Sequence, residues 1–239
     1  MSQDVPTTPQ PADDNPFQPH RAPGANPDEW LNCAAVYVRM STEHQQYSTS
    51  NQMDLVSRSI DNRIGYFVVL EALRRLAKDA PAASGLAVGT TQEEIAYSGG
   101  GARTSAFGLE PDAAVVVDVT HATDYPGVEK KEVGDFKLGS GPALSRGSAV
   151  SPVVFDQLVA AAEAGKIPFT IEAAPRGTST DADAIHTSRR GIATGLVSVP
   201  CRYMHSPNEM VALDDLDRTA ALLAAWVRRL KSDTSFIPF

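Results

Sequence analysis

The chain has 239 residues, 42% hydrophobic and 21% charged, enough apolar material for a sizeable core in one large domain or two small ones. Its formal net charge is −8 and no basic stripe stands out, which argues against nucleic acid or an anionic lipid surface as partner. The absence of a long apolar run or a secretory leader pattern points to a cytoplasmic protein without membrane spans. Residues 1–31 are rich in Pro, Asp, Asn and Gln and almost free of aliphatic side chains. Such a segment cannot bury enough surface to offset its ordering entropy, so a disordered tail is expected there.

Residues 34–38, Ala-Ala-Val-Tyr-Val, read as a strand, with Arg39 and Ser41 at its end and a polar turn beyond. Tyr37-x-Arg39-x-Ser41-Thr42, then Gln45, Ser48 and Gln52, resembles the first strand and active-site loop of serine site-specific recombinases. The resemblance implies Ser41 as a nucleophile on a DNA phosphate and Arg39 as a stabiliser of phosphate charge. It covers only about residues 33–52, and neither the later arginines nor a basic DNA-binding module follows. DNA strand transfer through Ser41 is therefore the alternative reading, beside that of a non-catalytic remnant.

From Asp61, a residue suited to a helix N-cap, a helix is expected to about Lys78. Its apolar face would comprise Ile64, Phe67, Val68, Leu70, Leu73, Leu76 and Ala77. Residues 85–90 read as a short strand running into Thr91-Gln92-Glu93-Glu94, and the glycines from Gly99 open a short helix to Phe107. Residues 113–120 are the clearest strand, an apolar run of the kind buried on both faces, interrupted by Asp118. Short strands and loops are expected over 128–150, a helix over 153–164, a strand over 167–173 and a loop with a short helix over 177–186. A strand over 192–199 and a helix over 213–230 follow, the latter with the stripe Leu216, Ala220, Leu223, Val227, Leu230. Alternating strands and helices predict a layered α/β domain. The two cysteines, Cys33 and Cys201, lack metal-ligand spacing, and reduced thiols are expected before a disulfide.

Residues of ligand type fall where these strands end: Asp61, Glu93, Glu94, Asp118 and His205. Two side-by-side acids at a strand's end, Glu93 and Glu94, are costly unless a cation or a proton holds them, which points to metal chemistry. Each also has a blander reading: a helix cap for Asp61, a sheet hydrogen bond for Asp118, an exposed loop for His205.

The local sequences narrow this. Asp61-Asn62-Arg63-Ile64-Gly65, Thr91-Gln92-Glu93-Glu94, Thr104-Ser105-Ala106-Phe107, Pro111-Asp112 and Asp118-Val119-Thr120 occur in that order. Leu138-Gly139-x-Gly141-Pro142, Thr180-Asp181-Ala182-x-Ala184-Ile185-His186 and Pro200-x-Arg202-Tyr203-x-His205-Ser206 follow. Together they make residues 60–231 resemble the catalytic domain of the M42 metallo-aminopeptidases, the glutamyl and tetrahedral aminopeptidases. The resemblance implies a layered mixed sheet flanked by helices, peptide substrates and two divalent ions, zinc or cobalt. By it, Asp61 bridges the ions, Glu94 and His205 bind one, Asp118 binds the other, and Glu93 is the general base. Asp181 and His186 belong to a motif near the site, where support of the ligands is the role expected of them. Homo-oligomers also occur in the family.

The family has a further histidine ligand and a small β domain ahead of the bridging Asp. Neither His20 nor His44, the histidines preceding Asp61 here, has matching neighbours. The sheet is accordingly expected to be incomplete on its amino-terminal side and turnover weak or absent. The expected division is a tail over 1–31, the recombinase-like strand and loop over 32–55, and the peptidase-like region over 56–239, with a chimeric origin as the simplest account.

Overall fold

The computed structural model describes residues 33–39, 54–95 and 99–238. In chain order the elements are β1 (Cys33–Arg39), β2 (Asp54–Ser57), α1 (Ile60–Leu76), β3 (Ser84–Thr90), a 3-10 turn (Glu93–Ile95), α2 (Gly100–Leu109) and β4 (Ala113–His121). They continue with α3 (Lys130–Val133), β5 (Ala143–Gly147), α4 (Pro152–Ala164), β6 (Thr170–Ala174), α5 (Ala182–Ile185), β7 (Ala193–Cys201), β8 (Glu209–Ala212) and α6 (Leu213–Arg229).

Six strands form one mixed sheet in the order β3-β1-β4-β7-β5-β6. β1 runs parallel to both β3 and β4, so the strand of the recombinase-like stretch is an interior strand of this sheet. β4 is also parallel to β7, whereas β5 is antiparallel to β7. The shared direction of β3, β4 and β7 brings the segments after all three to one rim, the usual place for a site in an α/β sheet. At that rim lie Glu93 and Glu94 after β3, Asp118 near the end of β4, and His205 after β7. The short strands β2 and β8, which periodicity did not single out, pair antiparallel as a separate ribbon that enters α1 and α6.

β4 is buried along its length except at His121, as expected of an apolar strand with neighbours on both edges. α1 packs on α6 and α6 on α4, while α2 packs on α5 and β3. In α6 the expected stripe of Leu216, Ala220, Leu223, Val227 and Leu230 is buried, joined by Leu222 and Trp226.

Two expectations for α1 are corrected. Its buried face is Ile60, Ile64, Val68, Val69, Ala72 and Leu76, and Phe67 and Leu70 are 54% and 44% exposed. An i, i+4 stripe rotates with the side on which the sheet lies, and an apolar sequence on both flanks does not decide that side. Asp61 is also not the N-cap; Ser59 holds that position, and Asp61 and Asn62 have non-helical backbone angles inside the first turn. In α6, Asp215 is fully buried and reaches sideways to accept the N–H groups of Gly139 at 2.7 Å and Gly141 at 2.8 Å. It thus anchors the loop before β5.

Candidate metal centre

The first turn of α1 departs from helical geometry so that two side chains can point into the rim. The Asp61–Asn62 peptide is cis. Asn62 is fully buried; its Nδ2 donates to the Val117 carbonyl at 2.7 Å and to Asp118 Oδ1 at 3.0 Å. Its Oδ1 accepts the Gly65 N–H at 2.9 Å. A Cβ on Gly65 would lie 2.5 Å from that Oδ1, so the helix can pass only if residue 65 has no side chain. Asn62 therefore fixes its neighbour Asp61 against the end of β4. Asp118 also accepts the Val119 N–H at 2.9 Å, which explains an acid inside an otherwise apolar strand.

Glu93 and Glu94 are presented by the 3-10 turn after β3. Thr90 Oγ1 donates to the buried Asp181 Oδ2 at 2.6 Å, tying the strand end to the loop before α5. The Gly101 N–H donates to the Thr91 carbonyl at 2.9 Å, and a Cβ there would meet Thr91 N at 2.7 Å. This close approach is what the glycines at the start of α2 permit.

His205 lies between β7 and β8 with φ of 63°, and Tyr203 before it has φ of 58°. Arg202 clamps the same loop to Asp124, Nε to Oδ1 at 2.8 Å and Nη2 to Oδ2 at 2.7 Å. The Tyr125 and Tyr203 rings stack at a tilt with centroids 4.6 Å apart. The His205 Nε2 comes to 3.1 Å from Asp61 Oδ2 and 3.4 Å from Glu94 Oε1.

Among the described residues, Asp61, Glu94 and His205 form a group of metal-ligand type, with one ligand atom of each lying within 4.8 Å of the others. They line a cavity of about 670 Å³ together with Asp118 and Glu172. Asp118 stands outside the close group but shares its cavity and, through Asn62, its scaffold. Glu93 and Asp181 line a neighbouring cavity of about 970 Å³, which also has Glu94 on its wall. His186 ends α5 with its Nδ1 2.8 Å from the Ala182 carbonyl and is not among the residues lining either cavity. Arg39 ends β1, and Ser41 lies outside the described residues.

Residues not singled out by sequence complete the surroundings. Glu209, buried at the head of β8, accepts the Asp61 N–H and the His205 N–H. Glu172 on β6 accepts hydrogen bonds from Thr120 Oγ1 at 2.6 Å and Ser145 Oγ at 3.0 Å beside Asp118. The available signal for both is an acid placed in a short β-type run, which costs free energy unless its oxygens are bonded. Cys201 is buried and unbridged, and burial followed by the nearby Glu209 charge pushes its thiol up to about 12.

The sequence profile of the M42 glutamyl aminopeptidases matches residues 34–222. A lysyl aminopeptidase of Pyrococcus furiosus is 35% identical over 172 residues, 72% of this chain and 48% of that protein. Among solved structures, an aminopeptidase of the archaeon Desulfurococcus kamchatkensis superposes with TM-score 0.66 at 38% identity, covering 73% of this chain and 49% of the other. A peptidase of Pyrococcus horikoshii that can assemble into a tetrahedron or a large octahedral shell gives TM-score 0.61 at 28% identity, covering 74% and 51%. The chain spans about half the length of the curated relatives it matches. These comparisons give the strand-transfer reading through Ser41 no support.

Proposed function

The chain belongs to the M42 glutamyl aminopeptidase family, and on that premise we propose that it carries the metal-dependent site of an aminopeptidase, which removes amino-terminal residues from peptides. The observation carrying this reading is the convergence of Asp61, Glu94 and His205, from three remote segments, within ligand distance of one another.

The donor set fits the proposed group. One imidazole nitrogen and carboxylate oxygens suit zinc or cobalt. Asp61, Glu94 and His205 would hold one divalent ion. Asp118, with Asp61 shared, would hold a second. When bound, such ions polarise the scissile carbonyl and make water acidic enough to attack it at neutral pH.

The remaining work falls to the chain. Glu93, next to Glu94 but facing the neighbouring cavity, takes the proton of the attacking water and returns it to the leaving amine. Asn62 holds Asp118 in place, and Asp181 holds the end of β3 from which both glutamates are presented. Peptides enter through the open cavities on either side of Glu94. Homo-oligomeric assembly is part of this proposal, supported by the Pyrococcus horikoshii relative.

Among the described residues, Asp61 and Asp118 alone of the family's ligand set would hold a second ion. It should therefore bind the more weakly of the two, and turnover should be low. Metal content of the purified chain by mass spectrometry, alongside hydrolysis of leucine and glutamate anilides, tests the reading. A chain that binds neither zinc nor cobalt at micromolar concentration sinks it.

A further inference from the structure

Glu209 is 2% exposed and its carboxylate is shared between two backbone segments. Its Oε2 accepts the Asp61 N–H at 3.1 Å and its Oε1 accepts the His205 N–H at 2.8 Å. The first of these contacts bridges 148 positions of sequence. No cation pairs with Glu209 among the described residues. The residues after it in β8, Met210, Val211 and Ala212, are apolar. A buried carboxylate in such a strand is unfavourable unless hydrogen bonds to its charged form compensate. Here both come from the backbone of proposed metal ligands.

Both of those ligands need an external tie. His205 sits in the left-handed region at φ 63°, where a side chain is disfavoured. Asp61 has non-helical angles inside a helix. Glu209 is also in register with Ser57 of β2, the strand that leads into Asp61. One side chain thus spans the entry to α1 and the loop after β7.

We infer that Glu209 is a positioning residue of the metal site: its carboxylate sets the separation of Asp61 and His205 before an ion arrives. It touches neither ion nor substrate, and it acts by holding two ligands whose side chains stand 3.1 Å apart. This rests on the metal-dependent reading above. Groups that orient metal ligands typically change affinity by about 10- to 100-fold when removed.

The test compares Glu209→Ala, Glu209→Gln and Val211→Ala. Zinc affinity is measured by chelator competition, the visible spectrum by cobalt(II) loading, and folding by circular dichroism and thermal melting. Glu209→Ala should weaken zinc by about 10- to 100-fold and alter the cobalt spectrum. Glu209→Gln should lose less than the alanine variant, since its amide keeps one acceptor even though its NH2 cannot accept the other N–H; it also serves if the alanine variant does not fold. Val211→Ala, which removes buried bulk from the same ribbon, should lower the melting temperature with zinc affinity within twofold of wild type. Folded Glu209 variants that bind zinc as wild type does, with an unchanged cobalt spectrum, overturn the inference alone. An affinity loss in Val211→Ala equal to theirs also overturns it. A wild-type chain that binds neither ion overturns the metal reading and this inference with it.

Discussion

Asn62 Nδ2 donates to Asp118 Oδ1 at 3.0 Å, joining the residue after Asp61 to the acid at the end of β4. That bond spans 56 positions and makes two proposed ligands parts of one rigid unit. Removing Asn62 leaves Asp118 and the Val117 carbonyl short of a donor and should cost about 1–3 kcal/mol. Gly65→Ala should cost a similar amount, because the new Cβ would lie 2.5 Å from Asn62 Oδ1. The two should not add: with the Asn62 side chain gone the clash at residue 65 disappears. Urea unfolding of both single variants and the double variant measures this coupling, and full additivity would refute it.

Glu93 and Glu94 share the larger cavity, but only Glu94 also lines the one with Asp61 and His205, so their substitutions should separate. Glu94→Ala removes a group whose oxygen lies 3.4 Å from His205 Nε2 and should lower zinc content. Glu93→Gln should leave zinc content at the wild-type level while reducing any anilide turnover by about 10²- to 10⁴-fold, the usual contribution of a general base. Equal metal loss in both variants would show that Glu93 is a ligand.

The Arg202 guanidinium holds the Asp124 carboxyl below its ordinary range, aided by the Leu138 N–H, against an opposing effect of burial. The sign follows from linkage. A carboxyl whose folded pKa is depressed contributes stability above its unfolded value, about 3.9. That contribution is lost as pH falls through the lower folded value. Melting temperature should therefore drop on acidification below about pH 5 more steeply in wild type than in Arg202→Gln, which lacks this pair. Parallel curves would show that the clamp contributes nothing.

Cys201 should be chemically silent in the folded chain. Burial keeps its thiol protonated, with a pKa of about 12, and the thiolate is the reactive form. Iodoacetamide at pH about 8 should label Cys201 in denaturant and leave it largely unmodified in the native protein, as read by peptide mass mapping. Rapid native labelling at this position would contradict its burial.

Local pattern alone determined much of this protein. The apolar run of β4, the stripe of α6 and the glycines before α2 specify their elements because burial periodicity and turn chemistry act over a few residues. The same holds for locating Glu93 and Glu94 just after β3 and Asp118 in the later part of β4, and for the motifs that resemble M42 peptidases. Only the tertiary structure decided which side of α1 faces the sheet, leaving Phe67 and Leu70 outside, and that Asp61 is no helix cap. It alone showed Asp215 turning away from its helix end to hold a loop, and Glu209 joining two segments 148 positions apart. An acid at the head of a short strand looks the same in sequence whether it faces water or accepts two backbone N–H groups. The difference is made by contacts between distant segments, and these exist only once the sheet has brought the ends of β3, β4 and β7 to one rim.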